Sequence, residues 1–227
     1  ILEKLIQYEA VHAIQGWTDL RRRLQADRRC FAYFHPSLPD EPIIFIEVAL
    51  THGISDKVQP LIDVDSQVTD PARANCAIFY SITNCQEGLR GISFGNFLIK
   101  QVADDLGREF PRLKTFSTLS PIPGFRAWLR DTETLDQLAL SPGDGGAALV
   151  KQLQALDEPD WHMSPDIANA LQEPLLRLCA YYLLHAKRDG EPLDAVARFH
   201  LGNGARMERL NWLADASKPG LAHSAGI

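Results

Sequence analysis

The chain has 227 residues, of which 45% are hydrophobic and 23% are charged. This balance is typical of a globular protein, and the length suffices for one large domain with a sizeable core. The formal net charge of -6 argues against general binding to nucleic acid or to an anionic membrane, because both need a basic surface. No apolar run approaches membrane-spanning length, and the scattered cysteines without a CxxC pair indicate a reducing compartment with no structural metal.

The N-terminal part of the sequence predicts helices followed by a set of strands. Apolar residues at helical spacing in residues 1–24, interrupted by Gly16, indicate the end of a helical region and one more helix. Residues 30–51 contain two runs rich in Phe, Tyr, Ile and Val around a Pro/Ser/Asp turn, so a β-hairpin is expected there. The mostly apolar run of residues 76–83 predicts a third strand.

A glycine-rich turn follows the third predicted strand and opens an amphipathic helix. The turn contains Gly88, Gly91 and Gly95, and Arg90 adds a positive charge. Backbone N–H groups in such a turn, together with the positive end of the helix, suit a phosphate or pyrophosphate. The spacing matches neither GxGxxG nor GxxxxGK[ST], so an ordinary turn without a ligand is the alternative. The predicted apolar side of the helix consists of Phe97, Leu98, Val102 and Leu106.

The stretch FSTLSPIPGF, residues 116–125, breaks the backbone at the end of a predicted fourth strand. Its two prolines fix their own φ and disfavour helix in the residues before them, so the chain leaves the strand sharply and displays Ser120. Ligands of open sheets lie at the carboxyl ends of strands, which makes Ser120 a candidate site residue. The alternative is that Ser120 only caps a helix beginning near Pro121 or Pro123.

The C-terminal part of the sequence predicts helices and one last strand. Residues 164–187 predict a helix, or two helices broken near Pro174. His200 is predicted to lie in the last turn of a short helix that begins at a proline and stops at residues 203–204. A final strand is expected through Leu210 and Trp212. A buried or capping role is the alternative for His200, because histidines without a catalytic function are common.

These features together resemble the GNAT acyltransferase superfamily, whose glycine turn holds the pyrophosphate of coenzyme A. Typical members of that superfamily carry a tyrosine as general acid in the late helix, where this chain has His200. With a histidine at this position, the chain resembles the malonyl-CoA decarboxylase family, and the resemblance covers nearly the whole chain from QYEAVH onward. The segments that carry the resemblance are AIFYSIT, RGISFGNFLIK, STLSPIPGF, LCAYYLL, FHLGNGA and LNWLADAS.

The resemblance implies an α+β fold of GNAT type, with a mixed, splayed central β-sheet flanked by helices. It makes residues 1–25 the end of an N-terminal helical domain or connector, and residues 26–227 the catalytic domain. Because the chain begins at Ile1 rather than Met and stops where the family continues, truncation at both ends is expected.

The implied activity is conversion of malonyl-CoA to acetyl-CoA and carbon dioxide, within fatty acid metabolism. No cofactor or metal is expected beyond the coenzyme A carried by the substrate. The resemblance also implies a homo-oligomer for the full-length protein, and we expect a cytoplasmic, bacterial location without nucleic-acid or membrane partners.

The resemblance also implies roles for particular residues. Ser120 and His200 become the catalytic pair, with His200 protonating the α-carbon and Ser120 either binding the carboxylate or relaying a proton. Ser117 is the competing serine and ranks lower, because it lies inside the predicted strand. The coenzyme A phosphate loop comprises Arg90, Gly91, Ile92, Ser93, Phe94, Gly95 and Asn96.

Three other functions fit parts of the same pattern. An N- or O-acetyltransferase would keep the fold and the coenzyme but would transfer an acetyl group to an acceptor. A non-catalytic acyl-CoA sensor would need the glycine turn but not His200. A Ser-His hydrolase would pass through an acyl-enzyme and release malonate.

Overall fold

The structure of the chain, a computed structural model, describes residues 1–89, 95–131, 145–158 and 160–227. These residues form two compact units, residues 1–120 and residues 121–227. The expected division into residues 1–25 and 26–227 is a different one and stays a prediction. The strands are β1 Arg28–His35, β2 Leu38–Thr51, β3 Cys76–Asn84, β4 Thr115–Thr118, β5 Lys187–Arg188 and β6 Glu191–Pro192. The helices are α1 Leu2–Tyr8, α2 Trp17–Arg23, α3 Gln59–Ile62, α4 Gly95–Glu109, α5 Phe125–Arg130, α6 Gly145–Leu153, α7 Pro165–His185, α8 Ala195–Gly202 and α9 Lys218–Ser224.

The first unit is built on a mixed sheet with the strand order β1-β2-β3-β4. Its first two pairs are antiparallel, as expected for the hairpin, while β3 and β4 run parallel with α4 between them. The predicted mixed sheet flanked by helices is therefore confirmed. Buried side chains of α4, among them Val102 and Leu106, pack against Val48 and Phe79 of the sheet. Phe97 was expected on that apolar side, but it is 71% exposed.

The sheet diverges towards the carboxyl end of β3. A register shift against β2 leaves Tyr80 as an extra residue in β3, which is a β-bulge. β4 pairs only with the first part of β3, up to Phe79, and Leu119 N then donates a last hydrogen bond to Phe79 O at 3.0 Å. No other described strand pairs with residues 80–84 on the side where β4 ends. The two strands therefore splay apart, as the resemblance implied.

A buried ionic network lies on the face of the sheet that packs against α1 and α2. Arg23 donates to Asp19 at 2.8 Å and to Glu47 at 3.0 Å, and both hydrogen bonds are buried. Ser81 donates to the buried carboxylate of Glu9 at 2.7 Å. Burial, together with the nearby carboxylates of Glu9 and Asp19, raises the pKa of Glu47 to about 7 against the lowering effect of Arg23. The carboxyl of Glu47 therefore titrates well above its usual acidic range.

We expect a Glu47→Gln variant to lose part of the pH dependence of folding stability. The pKa of Glu47 rises from 4.5 to about 7 on folding, so the folded chain holds this proton more tightly. The contribution of Glu47 to stability is then complete below pH 4.5 and declines as the pH rises through 7. Glutamine keeps the shape and an acceptor oxygen for Arg23 but does not titrate. Urea unfolding at pH 5 and pH 8 gives the free energy of unfolding of the native chain and of the variant. The same pH dependence in both proteins would contradict the prediction.

The second unit consists of helices packed around an aromatic and aliphatic core. Phe125 and Tyr182 are buried there, and their rings are 5.8 Å apart. α7 runs unbroken through Pro174, so the prediction of a single helix is confirmed and the alternative of two helices broken there is wrong. Leu171 and Leu175 are fully buried on either side of that proline, and their packing holds the helix together where local preference would end it.

The expected final strand is also wrong. Residues 205–211 have no regular secondary structure, and residues 204–209 are exposed. Such a segment has no buried face and pairs with no described strand, so neither burial nor hydrogen bonding to a neighbour stabilises a β-strand there. The short hairpin of β5 and β6 instead precedes α8. Among the residues with described positions, we find no helix both long and apolar enough to cross a bilayer.

Candidate active site

Ser120 directly follows the last hydrogen-bonded residue of β4. It is half-buried and is the last residue of the first unit. The next helix, α5, begins only at Phe125, and Gly124 occupies its N-cap position. The alternative in which Ser120 caps a helix starting near Pro121 or Pro123 is therefore wrong. Residues 119–122 leave the sheet without forming a helix, as the two prolines predicted.

Ser117, the competing serine, lies inside β4 opposite Ile78. Its hydroxyl donates to the carbonyl oxygen of Thr118 at 3.4 Å. The structure thus places Ser117 within the strand, which was the reason for ranking it below Ser120.

The start of α4 and Ser120 lie at the same edge of the sheet. Parallel strands point their carboxyl ends in one direction, and α4 begins after β3 at that end while Ser120 follows β4 there. Gly95 and Asn96 form the first turn of α4, so the positive end of this helix faces that edge. The rest of the predicted phosphate loop lies outside the described residues: Arg90, Gly91, Ile92, Ser93 and Phe94.

His200 occupies the last turn of α8, in the second unit, as predicted. It is half-buried, and this burial lowers the pKa of its imidazole below the ordinary value of 6.5. The carbonyl oxygen of His200 accepts hydrogen bonds from Asn203 N and Ala205 N, both at 3.1 Å. Gly204 supports this reversal with a φ of 83°, which glycine adopts without strain. The helix therefore stops directly behind His200 and holds its backbone in place.

Asp194 is a residue of this region that the sequence reasoning missed. It is buried, and its Oδ1 accepts hydrogen bonds from Val196 N at 3.0 Å and Ala197 N at 2.9 Å, so it caps α8. Its Oδ2 accepts from Gly124 N at 3.3 Å. The expected helix start at a proline was wrong, and an aspartate directly before AVARFH was the signal available. Asp194 thus joins the helix of His200 to the segment that follows Ser120 in the sequence.

Tyr182 lies beside Gly124 and near Asp194 in the second unit. Burial, with the charge of Asp194 nearby, raises the pKa of the Tyr182 hydroxyl to about 12, so the group stays protonated at neutral pH. Its ring lies 5.2 Å from that of Trp128, which limits its movement. The hydroxyl lies where a side chain on Gly124 would begin. Only glycine therefore fits at position 124.

We expect Gly124→Ala to destabilise the second unit by about 1–3 kcal/mol, because the added methyl group overlaps the Tyr182 hydroxyl. Its backbone has an ordinary φ of -88, so the cost comes from the contact and not from the conformation. Adding Tyr182→Phe removes the obstructing oxygen and should restore part of the loss. Thermal unfolding of the two single variants and the double variant gives the coupling energy, and simple additivity would contradict the contact.

The described residues hold no group of three His, Cys, Asp or Glu side chains that could bind a metal ion. The first unit instead offers a helix N-terminus and a strand end, and the second unit offers a half-buried histidine in the last turn of a capped helix. The first pair suits an anion such as a phosphate, and the histidine suits proton transfer.

Comparison with known proteins matches the chain to one family. A family model described as the malonyl-CoA decarboxylase C-terminal domain matches residues 1–227. The mitochondrial malonyl-CoA decarboxylase of Rattus norvegicus is 41% identical over 246 residues, which cover 100% of this chain and 49% of the rat protein. The corresponding protein of Anser anser anser is 40% identical and is covered over 48% of its length. The chain therefore spans about half the length of the curated relatives it matches.

Solved structures agree with these sequence matches. The crystal structure of malonyl-CoA decarboxylase from Agrobacterium vitis has a TM-score of 0.90 and 51% identity, covering 100% of this chain and 55% of that one. The enzyme from Rhodopseudomonas palustris has a TM-score of 0.88 and 50% identity, covering 99% of this chain and 54% of that one. Because the family model matches residues 1–227 and these relatives agree with it, the chain belongs to the malonyl-CoA decarboxylase family.

Proposed function

We propose that this chain carries the decarboxylase chemistry of its family and converts malonyl-CoA to acetyl-CoA and carbon dioxide. The observation that carries this proposal is the match of the family model to residues 1–227, which include both units and both candidate catalytic residues. The geometry of each unit supports it, since one offers an anion-binding helix start and the other a histidine at a helix end.

The coenzyme binds at the edge of the sheet where α4 begins. Residues 90–96 hold its pyrophosphate, and the N-terminal N–H groups of α4 donate to the phosphate oxygens. The splay between β3 and β4 leaves backbone groups of residues 80–84 unpaired on one side within the described residues, and the acyl thioester arm reaches them there. Binding energy from the coenzyme holds the substrate carboxylate perpendicular to the thioester carbonyl.

The reaction breaks the bond between the α-carbon and the carboxylate of the malonyl group. Carbon dioxide leaves, and the electron pair stays on the thioester as an enolate. Backbone N–H groups at the splay stabilise the enolate oxygen. His200 then gives a proton to the α-carbon, and acetyl-CoA forms. Ser120 either binds the departing carboxylate or passes a proton to and from His200.

Incubation of the chain with malonyl-CoA in deuterated buffer tests this proposal. We expect mass spectrometry to find acetyl-CoA with one solvent deuteron on the former α-carbon, together with released carbon dioxide. Malonate with free coenzyme A would identify a hydrolase instead, and acetyl transfer to an added amine would identify an acetyltransferase. Unchanged malonyl-CoA would contradict decarboxylation by this chain.

The two serines are expected to respond differently to substitution. Ser120→Ala should lower kcat by about 10²-fold or more, since it removes a group that contacts the substrate or relays its proton. Ser117→Ala should keep nearly full activity, because the Ser117 hydroxyl is bonded to the backbone of Thr118 within its own strand. Steady-state kinetics with malonyl-CoA measures both. A larger loss in Ser117→Ala would reverse the assignment.

The remaining expectations for the whole protein belong to this proposal as well. They are a homo-oligomer, a bacterial cytoplasmic location, and a reaction that draws on no cofactor besides the coenzyme A of its substrate. Sedimentation of the purified chain tests the oligomeric state, assays with and without chelator test for a metal requirement, and fractionation of the source cells tests the location.

A further inference from the structure

A cavity in the first unit opens at the edge of the sheet opposite to the start of α4. It has a volume of about 320 Å³. β1 begins at this edge, β2 ends there and β3 begins there, so it is separated from the proposed coenzyme site by the length of the strands. Its lining includes the charged and polar side chains of Arg22, Asp27, Arg28, His52, Asp70 and Arg73.

The inner part of this cavity carries more positive than negative charge. Arg22 is 2% exposed, Arg28 is 4% exposed, and the only acid buried among these lining residues is Asp27, at 1%. Arg22 Nη1 contacts Asp27 Oδ1 at 2.9 Å, and Arg28 Nη1 contacts Asp27 Oδ2 at 3.0 Å. Two buried guanidinium groups thus share one carboxylate. Excess buried charge is costly unless a partner balances it.

Hydrogen-bonding capacity is also left over at this cavity. The Nε of Arg22 is buried and has no hydrogen-bond partner among the described residues. Arg73 is exposed and belongs to no ion pair within the described part of the chain. A buried donor without a partner is rare, because it loses its bond to water and gains none in return.

The acids of the cavity are already engaged. Asp27 accepts from both buried arginines and from Thr69 N at 3.1 Å, which lowers its pKa against the effect of its burial. Asp70 caps its own turn by accepting from Ala72 N at 3.0 Å. Three arginines against two aspartates leave one positive charge facing the cavity, before any contribution from His52.

We propose that this cavity is a binding site for a small oxyanion, a phosphate-bearing or carboxylate-bearing molecule held by Arg22 Nε and by the guanidinium of Arg73, with the buried charge of Arg28 adding to the attraction. The guanidinium of Arg73 can bind phosphate or carboxylate oxygens in a planar, two-bond geometry. Arg28 already donates to Leu61 O at 2.9 and 2.8 Å and to Asp27 O at 2.9 Å, so it contributes its charge. The volume lies at the small end of ligand pockets, which fits a small metabolite or a free anion. This site is separate from the proposed active site and does not depend on the proposed function.

Titration of the chain with inorganic phosphate and, separately, with acetate tests the site. Ionic strength is kept constant with chloride, and thermal unfolding and amide NMR shifts are followed. We expect a saturable rise in Tm, because an anion that binds only the folded chain stabilises it. The amide of Thr69 should shift with the same dissociation constant. Response to phosphate alone identifies a phosphate site, and response to both anions identifies a general oxyanion site. A response no larger than that to chloride overturns the proposal.

Matched arginine variants locate the bound anion. Arg73→Gln is exposed, so it should fold normally, and we expect it to weaken phosphate binding by about ten-fold through loss of a charge-assisted bond. Arg90 lies in the predicted coenzyme loop, so Arg90→Gln should leave the phosphate-dependent shift of the Thr69 amide unchanged. Arg177→Gln, an exposed arginine of α7 that pairs with Glu173, controls for net charge. Loss of binding in Arg90→Gln with none in Arg73→Gln overturns the proposal.

Discussion

Replacing His200 with alanine is expected to lower kcat for carbon dioxide release by about 10²–10⁴-fold, the usual contribution of a general acid. The affinity for coenzyme A should change little, because the helix start that binds its phosphates belongs to α4. His185→Ala is the matched control, since His185 also occupies the last turn of a helix but is exposed. Single-turnover assays with malonyl-CoA measure the loss. Retained turnover in His200→Ala would remove this residue from the mechanism.

The same residue predicts the direction of the pH profile. Burial lowers the pKa of His200 below 6.5, and only the protonated imidazole can give a proton to the enolate. The value of kcat/KM reports the free enzyme, so it should fall as the pH rises through an inflection below 6.5. The substrate carboxylate favours the charged imidazole, so the inflection in kcat should lie at higher pH. A kcat/KM that rises with pH over this range would indicate a base instead.

Local sequence patterns predict the first unit better than the second. The hairpin of β1 and β2, the strand β3 and the helix α4 follow from alternation and helical spacing, because each buries one face on its neighbours. The exposure of Phe97 does not follow, since which side of a helix start is covered depends on the tertiary structure. The sequence also leaves open whether α7 breaks at Pro174. Buried leucines on both sides of the proline decide this in favour of one continuous helix, because their packing outweighs the local preference.

The candidate site shows a similar division. Sequence alone placed Ser120 at a strand end and His200 at a helix end, both of which the structure shows. Their joint role came from resemblance, because neither spacing nor polarity relates residues so far apart in the chain. Asp194 was missed because its bond to Gly124 joins two distant segments, and only the folded chain shows that one carboxylate serves both.

Asp194→Ala is expected to reduce kcat by at least ten-fold and to lower stability by about 1–2 kcal/mol, the usual cost of losing an N-cap. The catalytic loss follows because α8 carries His200, and small displacements of a catalytic group cost rate steeply. Asp194→Asn keeps a side-chain oxygen for Val196 N and should retain most of both properties. Thermal unfolding and kcat for malonyl-CoA are measured on the same preparations.

Ser217→Ala separates positioning from plain stability in this experiment. Ser217 caps α9 in the same unit and accepts from Gly220 N at 3.2 Å, so its loss should cost comparable stability. α9 carries no residue of the proposed mechanism, and kcat should therefore stay near the native value. If both variants lose stability but only Asp194→Ala loses kcat, the carboxylate acts through the position of His200. Equal effects on kcat would mean that the unit merely needs its helices intact, and that Asp194 has no specific part in catalysis.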